Sequence, residues 1–202
     1  MGKEAVCTAR FGKQVSQGKA LLETSEILFR GDFRLKIPFA GIKSVKSADG
    51  ELRVQTAEGL AIFEIGAAAE KWCEKILHPK SRLEKLAVKL GTKVSLFGDF
   101  DAEFLREMKG QTTAVTKDKV ASDCELIFFA ADSLKDLSGA AKIAKSMQGS
   151  TALWIVYPKG QKQITENDVL VAGRKAGLKD VKVVGFSATH TGLKFVIPLS
   201  SR

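Results

Sequence analysis

The spacing of apolar residues changes period near residue 65, so one kind of secondary structure cannot account for the whole chain. Up to Ile65 apolar and polar residues alternate in short runs. The clearest run is Phe33-Arg-Leu-Lys-Ile-Pro-Phe39, in which Phe33, Leu35, Ile37 and Phe39 share one face and Arg34 and Lys36 lie opposite, the mark of a half-buried strand. Similar segments cover 19–24, 26–30, 42–47, 51–57 and 60–65, separated by Gly31-Asp32, Asp49-Gly50 and Glu58-Gly59. Asp49-Gly50 is the strongest hairpin signal, because both residues tolerate the positive φ of a type I′ turn. Past Ile65, Ala69, Trp72, Cys73 and Ile76 fall at helical spacing, which predicts a helix over 66–77 ended by His78-Pro79.

The second part alternates. Leu83, Leu86, Ala87 and Leu90 predict a helix over 80–90 stopped by Gly91. Strands are expected over 93–97, 112–116, 124–130 and 151–157. Helices are expected over 101–108, over 133–147 behind a Ser133 cap, and from a Thr165 cap to Gly177. The runs 180–186 and 192–199 have no helix between them and are expected to pair antiparallel. Alternating strands and helices imply a Rossmann-like, mainly parallel sheet covered on both faces. The expected organisation is a β domain over 1–78 and an α/β domain over 79–202. A chain of 202 residues, 45% hydrophobic and 27% charged, can fill two modest cores.

The net charge of +9 is unevenly placed: residues 1–79 carry 12 Lys+Arg against 10 Asp+Glu, and residues 80–202 carry 20 against 13. Most of the excess is lysine scattered singly, as at Lys85, Lys89, Lys93, Lys109, Lys117 and Lys119, which reads as solvated faces. Cys7, Cys73 and Cys124 are far apart and lack zinc-ligand spacing, so they read as reduced packing thiols. No apolar run suits a signal peptide or a transmembrane segment, and the expectation is a soluble cytoplasmic protein.

The order of short strands closed by one helix, with the phrases Phe29-Arg-Gly and Ile37-Pro-Phe, resembles a pleckstrin-homology or GRAM-type barrel. In phosphoinositide-binding members of that family a Lys/Arg cluster holds the phosphates. The resemblance would hand that role to Lys13, Lys19, Arg30, Arg34 and Lys36, which are thinly spread in a nearly neutral segment, so a protein-interaction or structural role is favoured. The element order of the second part resembles the class I methyltransferase core. Three phrases, Trp154-Ile-Val-Tyr-Pro-Lys159, Gly177-Leu-Lys-Asp-Val-Lys-Val183 and Thr189-His-Thr-Gly-Leu-Lys-Phe-Val196, resemble a bacterial family described only as a domain of unknown function. That resemblance implies a methyltransferase-like fold and marks Trp154, Pro158, Lys159, Gly177, Leu178, Lys182 and Lys194 without giving them chemistry.

A dinucleotide site needs glycines after its first strand and an acid after its second. The first loop here, Phe97-Gly-Asp-Phe-Asp-Ala-Glu103, has one glycine, Gly98, and three carboxylates that repel a pyrophosphate but tolerate the S-adenosylmethionine cation. Asp118 is the only acid after the second strand and is set late. The simpler reading is that Asp99 and Asp101 cap the following helix. Lys159, at a strand end behind Tyr157-Pro158, is the best single candidate for an anion contact, together with Lys162. His190 lacks a nucleophile elbow and reads as a turn residue. No metal, Walker or base-stacking pattern is present.

The candidate ligand residues are therefore Lys159, Lys162, Tyr157, Gly98, Asp99 and Asp101, with no catalytic or metal residues. The leading expectation is a non-catalytic binding or scaffold protein with a degenerate methyltransferase-like core and no cofactor. Its partner would be an unidentified protein or small anionic ligand, not a specific nucleic acid. The alternatives are a diverged S-adenosylmethionine-dependent methyltransferase and a weak electrostatic nucleic-acid binder.

Overall fold

The computed structural model describes residues 3–201. The chain divides into two compact units, one running to Lys80 and one starting at Ser81.

The first unit is one seven-stranded antiparallel sheet and a helix. Its strands are β1 (Lys3–Phe11), β2 (Gln14–Leu22), β3 (Glu26–Arg30), β4 (Arg34–Pro38), β5 (Ile42–Ala48), β6 (Glu51–Thr56) and β7 (Leu60–Glu64), followed by α1 (Ala68–Leu77). The order is β4-β3-β2-β1-β7-β6-β5. Alternation decides which face is inside: Leu22, Ile27, Phe29, Ile37, Leu52, Val54 and Phe63 are buried. The apolar stripe of α1, with Trp72 at its centre, joins that core against β5 and β6. Asp49 and Gly50 take φ of 52° and 77°, as a type I′ turn requires.

The expectation of a barrel is corrected by this order. β4 and β5 are consecutive in the chain but lie at opposite edges of the sheet and do not pair with each other. The single turn over Phe39–Gly41 carries the chain from one edge to the other, so the sheet curls into a half-barrel that no β4–β5 ladder closes.

The second unit contains α2 (Arg82–Lys85), β8 (Val94–Phe97), α3 (Ala102–Gln111), β9 (Val115–Lys117), β10 (Leu126–Ala130), α4 (Leu134–Leu137), α5 (Gly139–Lys145), β11 (Ala152–Pro158), α6 (Glu166–Lys175), β12 (Lys179–Gly185) and β13 (His190–Val196). Its sheet order is β12-β13-β11-β10-β8-β9. The ladders β8–β9, β8–β10 and β10–β11 are parallel, whereas β11–β13 and β12–β13 are antiparallel.

This mixed sheet corrects the expected mainly parallel one. The last strand inserts between β11 and β12, so two of the five ladders run antiparallel. Two of the expected helices are also shorter or more broken than the periodicity implies. The expected helix over 80–90 stops after Lys85, and Ala87 turns into the left-handed region at φ 64°. The carbonyl of Leu86, released from helical bonding, accepts a 3.0 Å hydrogen bond from Nε1 of Trp154, a buried indole that needs a partner. The expected helix over 133–147 divides at Ser138 into α4 and α5.

One face of this sheet buries Ile127, Leu153, Ile155, Leu193 and Phe195 beneath residues of α5 and α6. The other face buries Leu96, Phe128, Trp154 and Val156 with Leu83, Leu86, Phe104 and Met108. Among the described residues no helix is long and apolar enough to cross a membrane.

Candidate functional site

Parallel strands that end together leave a crevice at their carboxyl ends. Here Asp99 to Asp101 follow β8, Asp132 follows β10, and the turn Phe186 to His190 joins β12 to β13. These segments, with Arg82, Glu103, Ala130 and Val156, line a cavity of about 640 Å³. That volume lies within the range of about 300–1,000 Å³ usual for small-molecule pockets.

Its floor is apolar. Phe100 lies with its ring centroid 5.3 Å from Phe104 and 6.1 Å from Phe186, and Phe104 lies 4.7 Å from Phe186. Its rim is acidic: Asp99, Asp101, Glu103 and Asp132 all line the cavity. Arg82 neutralises part of that charge. Its Nε donates to Glu107 at 2.9 Å, and its Nη1 and Nη2 lie 3.3 Å and 3.6 Å from Asp101 and Glu103. The guanidinium also sits 5.4 Å and 5.3 Å from the ring centroids of Phe104 and Phe186. Burial alone would lower its pKa, but the bond to Glu107 and the charges of Asp101, Glu107 and Glu103 outweigh it and push the pKa up.

The remaining carboxylates are less engaged. Asp132 lies 3.6 Å from Nε2 of His190, whose Nδ1 shares a 2.9 Å hydrogen bond with the Thr189 hydroxyl. Asp99 forms no salt bridge among the described residues. Asp101 accepts from the Phe104 amide at 2.7 Å and so caps α3.

A dinucleotide is disfavoured here by chemistry. Four carboxylates on the rim repel a pyrophosphate, and Gly98 does not line the cavity. A Cβ on Gly98, which has φ of 82°, would lie 3.1 Å from the carbonyl oxygen and 3.2 Å from Cβ of Ala130. The missing side chain therefore serves the close approach of β8 to β10. Asp118 has φ of 55° and does not line the cavity. An organic cation with an apolar portion suits the acidic rim and phenylalanine floor better.

The sequence-based candidates fall in three places. Asp99 and Asp101 line the large cavity, whereas Gly98 does not and packs against Ala130. Tyr157 and Lys159 line a smaller one of about 230 Å³ with Pro158, Gly160, Ile164 and Glu166. Lys162 lines neither. Lys159 is bonded into the fold, since its Nζ donates to the Ser187 carbonyl at 2.8 Å and its amide to the Thr189 carbonyl at 2.8 Å. Tyr157 is buried, and its hydroxyl donates to Glu166 at 3.3 Å. Burial and the Glu166 charge raise its pKa, so the phenol stays protonated.

Sequence reasoning missed Arg82, Phe100, Asp132 and Phe186 as members of one site. Arg82 carries no local signal, because it reaches its carboxylates only through the packing of α2 on α3. The cysteines are buried thiols, and among the described residues no group of three or more His, Cys, Asp or Glu side chains could hold a metal ion.

No protein-family model matches the chain, and no curated protein matches it. Several solved structures are similar to it at low identity. A putative methyltransferase from Thermoplasma acidophilum is 10% identical, with 55% of this chain and 70% of that one covered, at a TM-score of 0.38. A TehB-like SAM-dependent methyltransferase from Corynebacterium glutamicum is 13% identical, covering 64% and 96%, at 0.39. A SAM-dependent methyltransferase from Aquifex aeolicus is 18% identical, covering 61% and 96%, also at 0.39. Scores of this size assign neither fold nor activity to the chain.

Proposed function

We propose that the second unit binds a small organic cation with an aromatic or apolar portion, and that S-adenosylmethionine is the ligand of this class to test first. The observation that carries the reading is the pairing of an acidic rim with a phenylalanine floor in one cavity at the carboxyl ends of β8, β10 and β11. S-adenosylmethionine carries a sulfonium and an ammonium beside one carboxylate, so a rim whose carboxylates outnumber its guanidinium favours it. Asp99 and Asp132 are the groups to face its positive charge, and Phe100 and Phe186 the surfaces to face its adenine. When bound, the sulfonium supplies an electrophilic methyl group. The chain's own contribution is to bind that group, place it beside His190 and Thr189, and hold the acid-rich rim in position through Arg82.

Calorimetric titration of the full chain with S-adenosylmethionine and with S-adenosylhomocysteine, whose sulfur is neutral, tests the reading. The cation is expected to bind more tightly, and Asp99→Asn to weaken it severalfold. No heat from either compound up to about 1 mM would refute S-adenosylmethionine as the ligand. Equal binding of the two would refute the role given to the acidic rim.

A further inference from the structure

The lysines of the terminal hairpin lie on the same sheet face as Trp154. Lys194 is paired in register with Trp154 on one side and with Lys182 on the other, and Lys179 is paired with Val196. Directly paired residues share a sheet face, so Lys179, Lys182 and Lys194 project together. Asp180, paired with Phe195, lies on the opposite face, where it bonds Arg174 at 3.1 Å. None of the three lysines forms an ion pair among the described residues.

The pair Lys182–Lys194 is costly as it stands, because like charges opposite each other on adjacent strands repel. Both ammonium groups are nevertheless held in place. Lys182 Nζ donates to the Lys85 carbonyl at 2.9 Å, and Lys194 Nζ lies 5.9 Å from the Trp154 ring centroid. Partial burial and the Lys182 charge lower the pKa of Lys194. An anion shared by the two lysines relieves their repulsion.

We propose that Lys179, Lys182 and Lys194 form a contact surface for the phosphate backbone of nucleic acid, engaged without regard to sequence. Three features favour a polyanion over one small anion. Across the bulge between Asp180 and Lys182, Lys179 and Lys182 face Val196 and Lys194, about 7 Å apart along β13, so the three positions form a row along the hairpin and do not converge on one point. The charge of residues 80–202, 20 Lys+Arg against 13 Asp+Glu, provides long-range attraction. Four of those acids are gathered at the rim of the large cavity, which leaves the remaining surface more basic still. Phe128 and Trp154, the strand aromatics of this face, are fully buried, so they offer no ring for bases to stack on, and the contact is confined to phosphates.

The test is fluorescence anisotropy of the full chain with labelled oligo(dT) and with a mixed-sequence single strand, at salt between about 50 and 200 mM. Both strands are expected to bind alike, with affinity falling linearly on logarithmic axes. Each lost phosphate contact reduces the slope by about 0.7, so Lys182→Gln/Lys194→Gln should make it shallower by about 1.4 and weaken binding at least tenfold at the lowest salt. Lys142→Gln/Lys145→Gln, on α5, removes the same charge elsewhere and should have a much smaller effect. A thermal melt of each variant checks folding, and Lys179→Gln/Lys182→Gln, at two exposed positions, gives a second reading. Equal losses in the α5 variant and the hairpin variant would overturn the proposal, as would no binding at low salt. Displacement of the oligonucleotide by inorganic phosphate alone would identify a single-anion site and also overturn it.

Discussion

Gly173 lies inside α6 directly over the ring of Phe195, and its replacement by alanine is a sharp test of how this unit is packed. A Cβ built there would fall 2.1 Å from Cε1, 2.5 Å from Cζ and 2.6 Å from Cδ1 of Phe195, which has no exposed surface. Carbon atoms prefer about 3.5–4.0 Å, so either the ring or the helix must move by more than an ångström within a close-packed face. Overpacking of this kind costs about 1–3 kcal/mol, and the very short contacts place Gly173→Ala at the upper end. Exchange of a helical glycine for alanine returns about 1 kcal/mol, leaving a net loss of about 2 kcal/mol. Urea denaturation followed by tryptophan fluorescence reads this directly, because Trp154 reports the second unit and Trp72 the first. With an m-value of about 2 kcal/mol per molar, the Trp154 transition should move down by about 1 M while the Trp72 transition stays in place. The companion variant is Phe195→Leu, which removes the obstructing ring. In that background Gly173→Ala should cost much less, and the coupling in the double-mutant cycle should exceed about 1 kcal/mol. A neutral or stabilising Gly173→Ala in the wild-type background would show that α6 does not approach β13 as described.

Trp154→Phe removes the indole donor to the Leu86 carbonyl and should destabilise the second unit by about 1–2 kcal/mol, measured by the same titration with circular dichroism as the signal. Arg82→Gln leaves Asp101, Glu103 and Glu107 facing one another without their cation, and a loss of about 1–3 kcal/mol is expected, partly recovered at high salt where their repulsion is screened. Thr165→Ala removes the cap of α6 and should cost about 1 kcal/mol in thermal or chemical melts. Asp168 completes that capping box, and its bonds from the Thr165 hydroxyl and amide hold its pKa below the usual carboxylate value. Since the folded pKa lies below the unfolded one, the stabilisation is full above the unfolded value and disappears as pH falls through the folded value. Asp168→Asn should therefore flatten the acid limb of a stability–pH profile, and an unchanged limb would count against the capping role.

What could be read from the sequence was what depends on near neighbours. The Asp49-Gly50 turn, the Asp101 and Thr165 caps and the apolar stripe of α1 each rest on a few adjacent residues, and each is found in the structure. Choices between distant partners were not legible. Nothing in residues 190–196 states that they pair with β11 as well as with β12, yet that insertion makes the sheet mixed. The helix expected over 80–90 failed for a similar reason: its apolar spacing is helical, but the turn at Ala87 and the demand of a distant indole for the Leu86 carbonyl override it. The candidate site was half visible. Asp99 and Asp101 lie in one loop after a strand, whereas Arg82, Asp132 and Phe186 join them only after three separate segments have packed.

The place of β13 in the sheet also orders events in time. In the first unit every neighbouring pair of strands but β1–β7 is consecutive in the chain, so hairpins can form as residues appear. The second sheet has no such freedom at its centre. β11 waits for a strand that arrives more than thirty residues later, and until Val196 is available one flank of its apolar ladder has no partner. During synthesis the first unit can be complete while the second still exposes Leu153, Ile155 and their neighbours. The interval in which this unit is most open to aggregation or to capture by a chaperone thus runs from the emergence of β11 until β13 docks beside it.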